Sequence, residues 1–282
     1  MSGLAGPIWL VGCGKMGGAL ADGWLAAGLA PARLTVVEAA GEIRGAWAAR
    51  GALTVAEPAA LPAPDRPEDV PQALVVAVKP QQMASVLASL SGKVPPATAV
   101  VSIAAGTPIA TFTAALGAHR PVVRAMPNTP AAIGRGATAL VANAACDDAT
   151  RALATTLMGA VGQTVWLDDE AQMHAVTALS GSGPAYVFLL VEAMTRAAVE
   201  RGLEPTLAAE LARATVGGAG ELVRTSAEPA ATLRRNVTSP GGTTAAALEV
   251  LMAADGLQPL MNRAIAAAAD RSIALAKPED ER

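Results

Sequence analysis

The chain has 282 residues, of which 52% are hydrophobic, 16% charged and 2% aromatic, and its formal net charge is −3 at pH 7. The small number of aromatic rings excludes a base-stacking surface, and the slightly negative charge excludes a surface that binds polyanions. We therefore expect no nucleic-acid partner. Two cysteines make no disulfide framework, no basic and apolar leader opens the chain, and the apolar run "AYVFLLV" ends at Glu192. We therefore expect a cytoplasmic protein with no membrane partner.

Short β-rich runs alternate with helical segments in the first half of the chain. Continuous apolar strands in such an alternation are typical of a parallel sheet covered by helices on both faces. Helices are predicted at 16–28 and 42–51, and strands at 7–12, 33–38, 73–78, 98–104, 121–126, 137–142 and 163–168. The segment 56–72 contains five prolines, which exclude a regular helix, so it is predicted to be a surface loop of no particular function.

After Asp168 the strand pattern ends and only helices are predicted. They cover 170–179, 184–201, 205–225, 228–235, 241–254 and 257–276. Pro184 and Pro240 fall where first helical turns begin, and Gly202 and Gly256 where helices end. The tail "KPEDER" is predicted to be a solvated end.

These patterns predict an α/β protein with two domains. A Rossmann-type doubly wound sheet would occupy residues 1–168, and an all-α dimerisation domain residues 169–282. The helical half consists largely of small side chains, which give a thin core when packed alone. We therefore predict an obligate homodimer that buries this half against a second copy.

A glycine motif, Gly12-x-Gly14-x-x-Gly17, stands between the first predicted strand and the first predicted helix. Gly12 permits the tight turn, Gly14 lets a pyrophosphate approach the backbone, and Gly17 lets helix and strand pack closely. The helix N-terminus offers N–H groups to phosphate. This context favours a dinucleotide site over a structural turn or a methyltransferase loop.

An acidic residue, Glu38, ends the second predicted strand about 20 residues after the motif. Its carboxylate is suited to accept hydrogen bonds from ribose hydroxyls and to repel a 2′-phosphate, which favours NADH over NADPH. Arg44 follows a few residues later and is able to offset this preference.

Polar residues in the rest of the chain offer little acid–base machinery. His119 and His174 are far apart, no set of residues has metal-ligand spacing, and no metal is expected. Lys79 follows one strand end, and Asn128 and Thr129 follow another, where a doubly wound sheet binds its ligands. A substrate that already carries a cation, such as a protonated imine, needs no strong proton donor for hydride transfer.

The stretch "VTSPGGTT" precedes a predicted alanine-rich helix. Ser239 is predicted to cap this helix and Pro240 to occupy its first turn, leaving main-chain N–H groups exposed. Such a group of N–H donors is suited to a substrate carboxylate, although an ordinary helix start with closely packed glycines gives the same pattern.

Six stretches make the chain resemble the pyrroline-5-carboxylate reductases. They are "GCGKMGGAL", "AVKPQ", "SIAAGTPI", "RAMPNTPAAIGRGAT", "TALSGSGPAYVF" and "VTSPGGTTAAALEVL", and they extend through nearly all of the sequence. The resemblance implies a Rossmann-type domain followed by a helical domain that dimerises, with decamers as a further assembly. It also implies reduction of L-1-pyrroline-5-carboxylate to L-proline by NADPH or NADH.

The resemblance also implies roles for individual residues. Thr244 would hydrogen-bond the ring nitrogen of the substrate as the catalytic residue, and the backbone at Ser239, Gly242 and Thr243 would hold its carboxylate. Segment 180–186 would line the substrate pocket. The implied cofactor-binding residues are Gly12, Gly14, Lys15, Met16, Gly17, Glu38, Ala77, Lys79, Pro80, Met126 and Asn128.

Two features depart from the pattern of that family. In the family an asparagine follows the third strand, but the stretch "TVAEPAA" here contains none, and Glu38 replaces the Arg or Ser suited to a phosphate. Both bear on the use of NADPH. Two other interpretations stay open, a 3-hydroxyacid dehydrogenase and a non-catalytic cofactor-binding oligomer. The dehydrogenase would need a catalytic lysine on a helix, and no lysine occurs over 94–276.

Overall fold

A computed structural model describes residues 6–276. Its centre is an eight-stranded sheet of order β3-β2-β1-β4-β5-β6-β7-β8, in which all neighbours are parallel except β6 and β7. The strands are β1 (Ile8–Val11), β2 (Leu34–Val37), β3 (Leu53–Val55), β4 (Ala73–Val76), β5 (Ala99–Ser102), β6 (Val122–Met126), β7 (Gly136–Ala142) and β8 (Gly162–Trp166). The predicted Rossmann-type sheet is confirmed, although the predicted strand β7 runs antiparallel to β6 and the short edge strand β3 was not predicted.

The sheet is covered by apolar clusters on both faces, which explains its continuous apolar strands. Alternate residues of β1 point to opposite sides: Leu10 packs in one cluster with Trp24, whereas Val11 packs in the other with Phe112. All residues of β1, β2, β4 and β5 are buried. Burial on both faces therefore selects unbroken runs of Val, Leu and Ile.

Eleven α-helices occur among residues 6–276, besides short 3₁₀ turns and one π-helical turn. They are α1 (Lys15–Ala26), α2 (Gly41–Ala49), α3 (Met83–Leu90), α4 (Ile109–Leu116), α5 (Asp148–Gly159), α6 (Met173–Val176), α7 (Gly183–Glu200), α8 (Pro205–Thr225), α9 (Ala230–Asn236), α10 (Thr243–Leu251) and α11 (Leu257–Ala276). The proline-rich segment 56–72 contains no α-helix, as predicted, and Gly202 ends α7 with φ +95°. The tail "KPEDER" lies outside the described residues.

The chain forms two compact units. The first contains residues 6–181 and 269–276, and the second contains Ser182–Ala268. Residue 168, where the domain boundary is predicted, lies within the first unit. Helix α6 belongs to the same unit, and its Met173 packs in one apolar cluster with Val76 and Val122 of the sheet. The division into domains 1–168 and 169–282 stays a prediction.

A π-helical turn, Thr177–Gly181, joins α6 to the residues before α7. It makes Glu170–Glu200 one continuous helical stretch, whereas two separate helices were predicted. By length and composition alone, this stretch is long and apolar enough to cross a membrane. Of its most apolar 18-residue segment, 6% is buried. The expectation of no membrane partner considered only the short "AYVFLLV" run, so it stays a prediction.

Helix α8 carries three interior glycines in the second unit. A Cβ atom added at Gly217, Gly218 or Gly220 would meet no heavy atom within 4 Å. Each glycine costs about 1 kcal/mol relative to alanine in a helix interior, and no close packing among the described residues requires it. Leu211 and Leu222, which share a helical face with Gly218, are half exposed.

Candidate functional site

The glycine loop between β1 and α1 has the backbone geometry that the motif predicts. Gly12 has φ +88°, and a Cβ atom there would lie 2.7 Å from the carbonyl oxygen of Ala77. A Cβ at Gly17 would lie 2.2 Å from the oxygen of Gly12, so only glycine permits this packing. A Cβ at Gly14 would meet nothing within 4 Å, which leaves open space above the loop.

The start of α1 supplies free hydrogen-bond donors beside that space. Gly14 is the N-cap and provides no side-chain cap. No hydrogen bond among residues 6–276 uses the main-chain N–H groups of Lys15, Met16 or Gly17. Three unpartnered N–H groups at the positive end of a helix dipole fit a pyrophosphate.

Glu38 is held beside the glycine loop by its carboxylate. Its Oε2 accepts a hydrogen bond from the Cys13 N–H (2.8 Å), and its Oε1 accepts one from the Ala40 N–H (3.0 Å). Arg44 donates to the main-chain oxygens of Glu38 (2.8 Å) and Ala39 (2.6 Å). The carboxylate is therefore fixed at the end of β2, where a Rossmann fold places the ribose hydroxyls.

A cavity of about 440 Å³ brings these groups together. Its lining includes the predicted residues Gly12, Gly14, Glu38, Ala77 and Lys79. The start of the proline-rich segment, at Glu57 and Pro58, also lines it. That segment was predicted to be an insertion without function, whereas its first residues form a wall of the candidate dinucleotide site. A larger cleft of about 700 Å³, which His119 and Asp168 line, contains none of the predicted site residues.

Cys13 lies within the glycine loop and is buried. Burial, followed by the negative charges of Glu38 and Asp22, raises the pKa of its thiol to about 12. The thiol is therefore protonated at neutral pH and is a poor nucleophile. Cys13 acts as a packing residue beneath the loop.

Further predicted cofactor residues lie at the carboxyl ends of two other strands. Lys79 precedes the 3₁₀ turn that begins at Pro80, shortly after β4, and Met126 is the last residue of β6. Asn128 differs from the expectation of a side chain that projects into the crevice, since it is only 9% exposed. Its amide is bonded at both ends, to the Ser180 oxygen and to the Ala137 N–H.

The substrate residues predicted before α10 form a tight turn in the second unit. Gly241 has φ +68°, and the Gly242 N–H donates to the Ser239 oxygen at 3.0 Å. A proline followed by a glycine of positive φ, closed by this bond, is typical of a type II turn. The predictions that Ser239 caps the helix and that Pro240 lies in its first turn are wrong. Both residues belong to the type II turn, and α10 has Gly242 as its N-cap and Thr243 as its first residue.

The turn leaves a set of main-chain donors without acceptors. No hydrogen bond within the described part of the chain uses the N–H groups of Ser239, Thr243 or Thr244. The Gly242 N–H, by contrast, is used within the turn. The available donors therefore come from Ser239 and the first turn of α10, and Thr244 is a partly buried residue of that turn.

Neither histidine lines the candidate dinucleotide cavity of the first unit. Within the first unit, His174 Nδ1 is 3.0 Å from Ser272 Oγ, and burial is the main cause of a lowered His174 pKa. No group of three or more His, Cys, Asp or Glu in residues 6–276 is placed to hold a metal ion.

Comparison with known proteins identifies the family. Residues 170–275 match the family described as pyrroline-5-carboxylate reductase dimerisation, and residues 7–106 match that described as NADP oxidoreductase, coenzyme F420-dependent. The chain is 43% identical over 96% of its length to pyrroline-5-carboxylate reductase of Pseudomonas aeruginosa, of which it covers 97%. The chain belongs to the pyrroline-5-carboxylate reductase family.

Other pyrroline-5-carboxylate reductases support this assignment. That of Pasteurella multocida is 37% identical over 94% of the chain and 96% of the relative. The solved structure of the Coxiella burnetii reductase has a TM-score of 0.88 at 34% identity, covering 97% of this chain and 100% of that one. The Plasmodium falciparum structure, with NADP bound, has a TM-score of 0.80 at 27% identity, covering 97% and 99%.

Membership of the pyrroline-5-carboxylate reductase family confirms the predicted resemblance, fold class and enzyme type. The chain is an oxidoreductase with an NAD(P)-binding Rossmann domain and a helical dimerisation region. The two other readings, a 3-hydroxyacid dehydrogenase and a non-catalytic oligomer, are set aside.

Two features of the candidate cofactor site were not predicted from the sequence. The wall formed by Glu57 and Pro58 was hidden because a proline-rich run has no periodic pattern. The bonds from Arg44 to the backbone after β2 were missed as well, although its place one turn into the next helix was a usable signal.

Proposed function

We propose that this chain reduces L-1-pyrroline-5-carboxylate to L-proline, with the substrate carboxylate held by the free N–H groups at the start of α10. The proposal rests on the main-chain N–H groups of Ser239, Thr243 and Thr244, which have no acceptor within the described part of the chain. Each N–H bond to a carboxylate is worth about 1.5–3 kcal/mol, and the positive end of the helix dipole adds to the attraction.

The Thr244 hydroxyl has the proposed catalytic role of orienting the imine. A hydroxyl oxygen can accept a hydrogen bond from the N–H of a protonated C=N group. That bond fixes the orientation of the ring while the carboxylate is held by the neighbouring N–H groups. The substrate's cation is neutralised when its carbon receives a hydride, so no proton donor of the chain is required for this step.

The residues of the first unit fit a dinucleotide. The open space at Gly14 and the free N–H groups of α1 fit its pyrophosphate, and the Glu38 carboxylate fits an adenosine ribose. The other proposed cofactor contacts are Gly12, Gly17, Ala77, Lys79, Pro80 and Met126. A reduced nicotinamide, when bound, supplies the hydride.

The proposed activity has a direct test. When L-1-pyrroline-5-carboxylate is added to the purified chain with NADH or NADPH, we expect the absorbance of the reduced nicotinamide to fall. We expect one L-proline to form for each reduced nicotinamide oxidised. Absorbance that stays constant with both cofactors would overturn the proposed function.

NADH is the proposed preferred cofactor. The Glu38 carboxylate, fixed by two main-chain N–H groups, would repel a 2′-phosphate. The P. falciparum relative was solved with NADP bound, so the preference here is a property proposed for this chain. Arg44 is engaged with two main-chain oxygens, which limits its ability to pair with a phosphate.

Replacing Glu38 with Gln is expected to shift the ratio of kcat/KM values toward NADPH by about tenfold, equivalent to ~1.4 kcal/mol. The change removes the charge and keeps the side-chain length. Glu42→Ser is the control, because Glu42 is an exposed acid in the first turn of α2 that does not line the cavity. A wild-type chain that prefers NADPH, with the same ratio in Glu38→Gln, would contradict the role of Glu38.

A homodimer through the helical region is the proposed assembly. The described chain leaves large apolar side chains half exposed in that region, among them Phe188 (62%), Leu222 (54%) and Val223 (54%). Apolar surface of this extent marks an interaction site, and the match to a dimerisation family covers it. The open glycines of α8 would let a partner helix approach closely. Decamers and a cytoplasmic location stay predictions.

A further inference from the structure

We infer that Asn128 is a positioning residue, which fixes the π-helical turn Thr177–Gly181 where the chain leaves the first unit. The family resemblance implied a cofactor contact for Asn128 instead. The inference rests on the proposed function, since it concerns turnover of the proposed substrate. It also has a structural readout that does not depend on activity.

The amide of Asn128 is fixed at both ends within the first unit. Its Nδ2 donates to the Ser180 oxygen (3.0 Å), and its Oδ1 accepts from the Ala137 N–H (2.8 Å). The two partners define the orientation of the amide, because a flipped side chain would set donor against donor and acceptor against acceptor. With 9% exposure, little of this side chain is available to a ligand.

The Ser180 carbonyl needs this outside donor because of a proline. A helical carbonyl ordinarily accepts from the N–H four residues later, and that residue is Pro184, which has no N–H. The next N–H along the chain, that of Ala185, donates to the Ser182 oxygen instead. Asn128 therefore supplies the hydrogen bond that Pro184 cannot make.

The π-helical turn lies against the carboxyl end of β6. A Cβ atom added at Gly181 would be 2.8 Å from Met126 Cε. Turns of this type occur often at functional sites, and ligands of doubly wound sheets bind at this edge. The next residue, Ser182, belongs to the second unit, which carries the proposed substrate residues.

This assignment separates substrate turnover from cofactor binding. The proposed reaction uses residues of both units, whereas the proposed cofactor contacts lie in the first. Loosening the π-helical turn is therefore expected to impair turnover and to leave the affinity for reduced nicotinamide unchanged. A side chain that contacts the cofactor would change both.

Asn128→Asp is the decisive variant, with Asn143→Asp as its matched control. Asp keeps an acceptor for the Ala137 N–H and loses the donor to Ser180. Asn143 makes the same pair of bonds elsewhere in the first unit: its Oδ1 accepts from the Val122 N–H (3.1 Å), and its Nδ2 donates to the Arg120 oxygen (2.8 Å). The two variants lose equivalent bonds, but only Asn128→Asp releases the π-helical turn.

In Asn128→Asp we expect kcat to fall at least about tenfold, the Kd for NADH to stay within about twofold, and amide hydrogen exchange to rise over 177–183. Asn143→Asp is expected to show none of these changes. Equal turnover in the two variants, unchanged exchange over 177–183, or a Kd that weakens in step with kcat would overturn the assignment. A wild-type chain inactive with both cofactors would contradict the proposed function alone, because the exchange result stands without it.

A second variant covers the case in which Asn128→Asp folds poorly. Pro184→Ala restores an N–H that can donate to Ser180, so adding it to Asn128→Asp is expected to recover protection over 177–183 and part of the lost turnover. A double variant with no recovery of protection would count against the role of the Ser180 carbonyl.

Discussion

Thr244→Ala is expected to lower kcat/KM for L-1-pyrroline-5-carboxylate about 10- to 100-fold and to leave the Kd for NADH unchanged. The hydroxyl is proposed to bond the charged imine, and a hydrogen bond to a charged group contributes about 1.5–3 kcal/mol. Thr244 follows the first residue of α10 in the second unit, whereas the proposed cofactor contacts lie in the first. Steady-state kinetics and fluorescence titration with NADH measure the two quantities.

Thr243→Ala is the matched control for this variant. Thr243 is the neighbouring residue, and its proposed contribution to substrate binding is its main-chain N–H, which the substitution keeps. We expect its kcat/KM to stay within about threefold of wild type, a difference below 1 kcal/mol. Equal losses in the two variants would show that disturbance of the helix start, and not the Thr244 hydroxyl, causes the effect.

Leu222→Glu is expected to dissociate the proposed dimer at micromolar concentration. Leu222 is 54% exposed on α8 in the described chain, and the proposed partner copy would cover it. A carboxylate buried without a partner costs several kcal/mol, and a twofold interface carries the substitution in both copies. The dissociation constant is therefore expected to rise at least about 100-fold, equivalent to ~2.7 kcal/mol.

Leu53→Glu is the control for the interface, because Leu53 is 48% exposed on the edge strand β3 of the first unit. It receives the same substitution at similar exposure, outside the region that matches the dimerisation family. Sedimentation velocity is expected to show a dimer for Leu53→Glu and a monomer for Leu222→Glu. A Leu222→Glu chain that sediments as wild type would remove α8 from the proposed interface.

The elements of the first unit were predictable because local rules determine them. Short β-rich runs identified seven of the eight strands, of which β1, β2, β4 and β5 are buried at every residue, and the glycine spacing identified a loop that only glycine can form. The edge strand β3 was not predicted, because it has only three residues, too few to form a recognisable run. The antiparallel direction of β7 was not predictable from its own residues, since strand direction depends on the connections.

The sequence predicted which residues belong to the candidate site better than it predicted the hydrogen bonds that these residues make. Glu38 was recognised from its distance to the glycine motif, but its bonds to the Cys13 and Ala40 N–H groups depend on the folded loop. The turn at Pro240 and Gly241 resembled a helix start, because proline is common both in turns and in first helical turns. The inward direction of Asn128 was not predictable, since Ser180 is distant in sequence.

The three glycines of α8 have a consequence for how the chain matures. Glycine lowers helix stability through the entropy of the unfolded backbone, so the stretch around Gly217, Gly218 and Gly220 is a weak part of a lone polypeptide. In the proposed homodimer a second polypeptide would stabilise this stretch, so assembly and the last step of folding would become one concentration-dependent event. A newly synthesised subunit would stay susceptible to proteases at α8 until it dimerises.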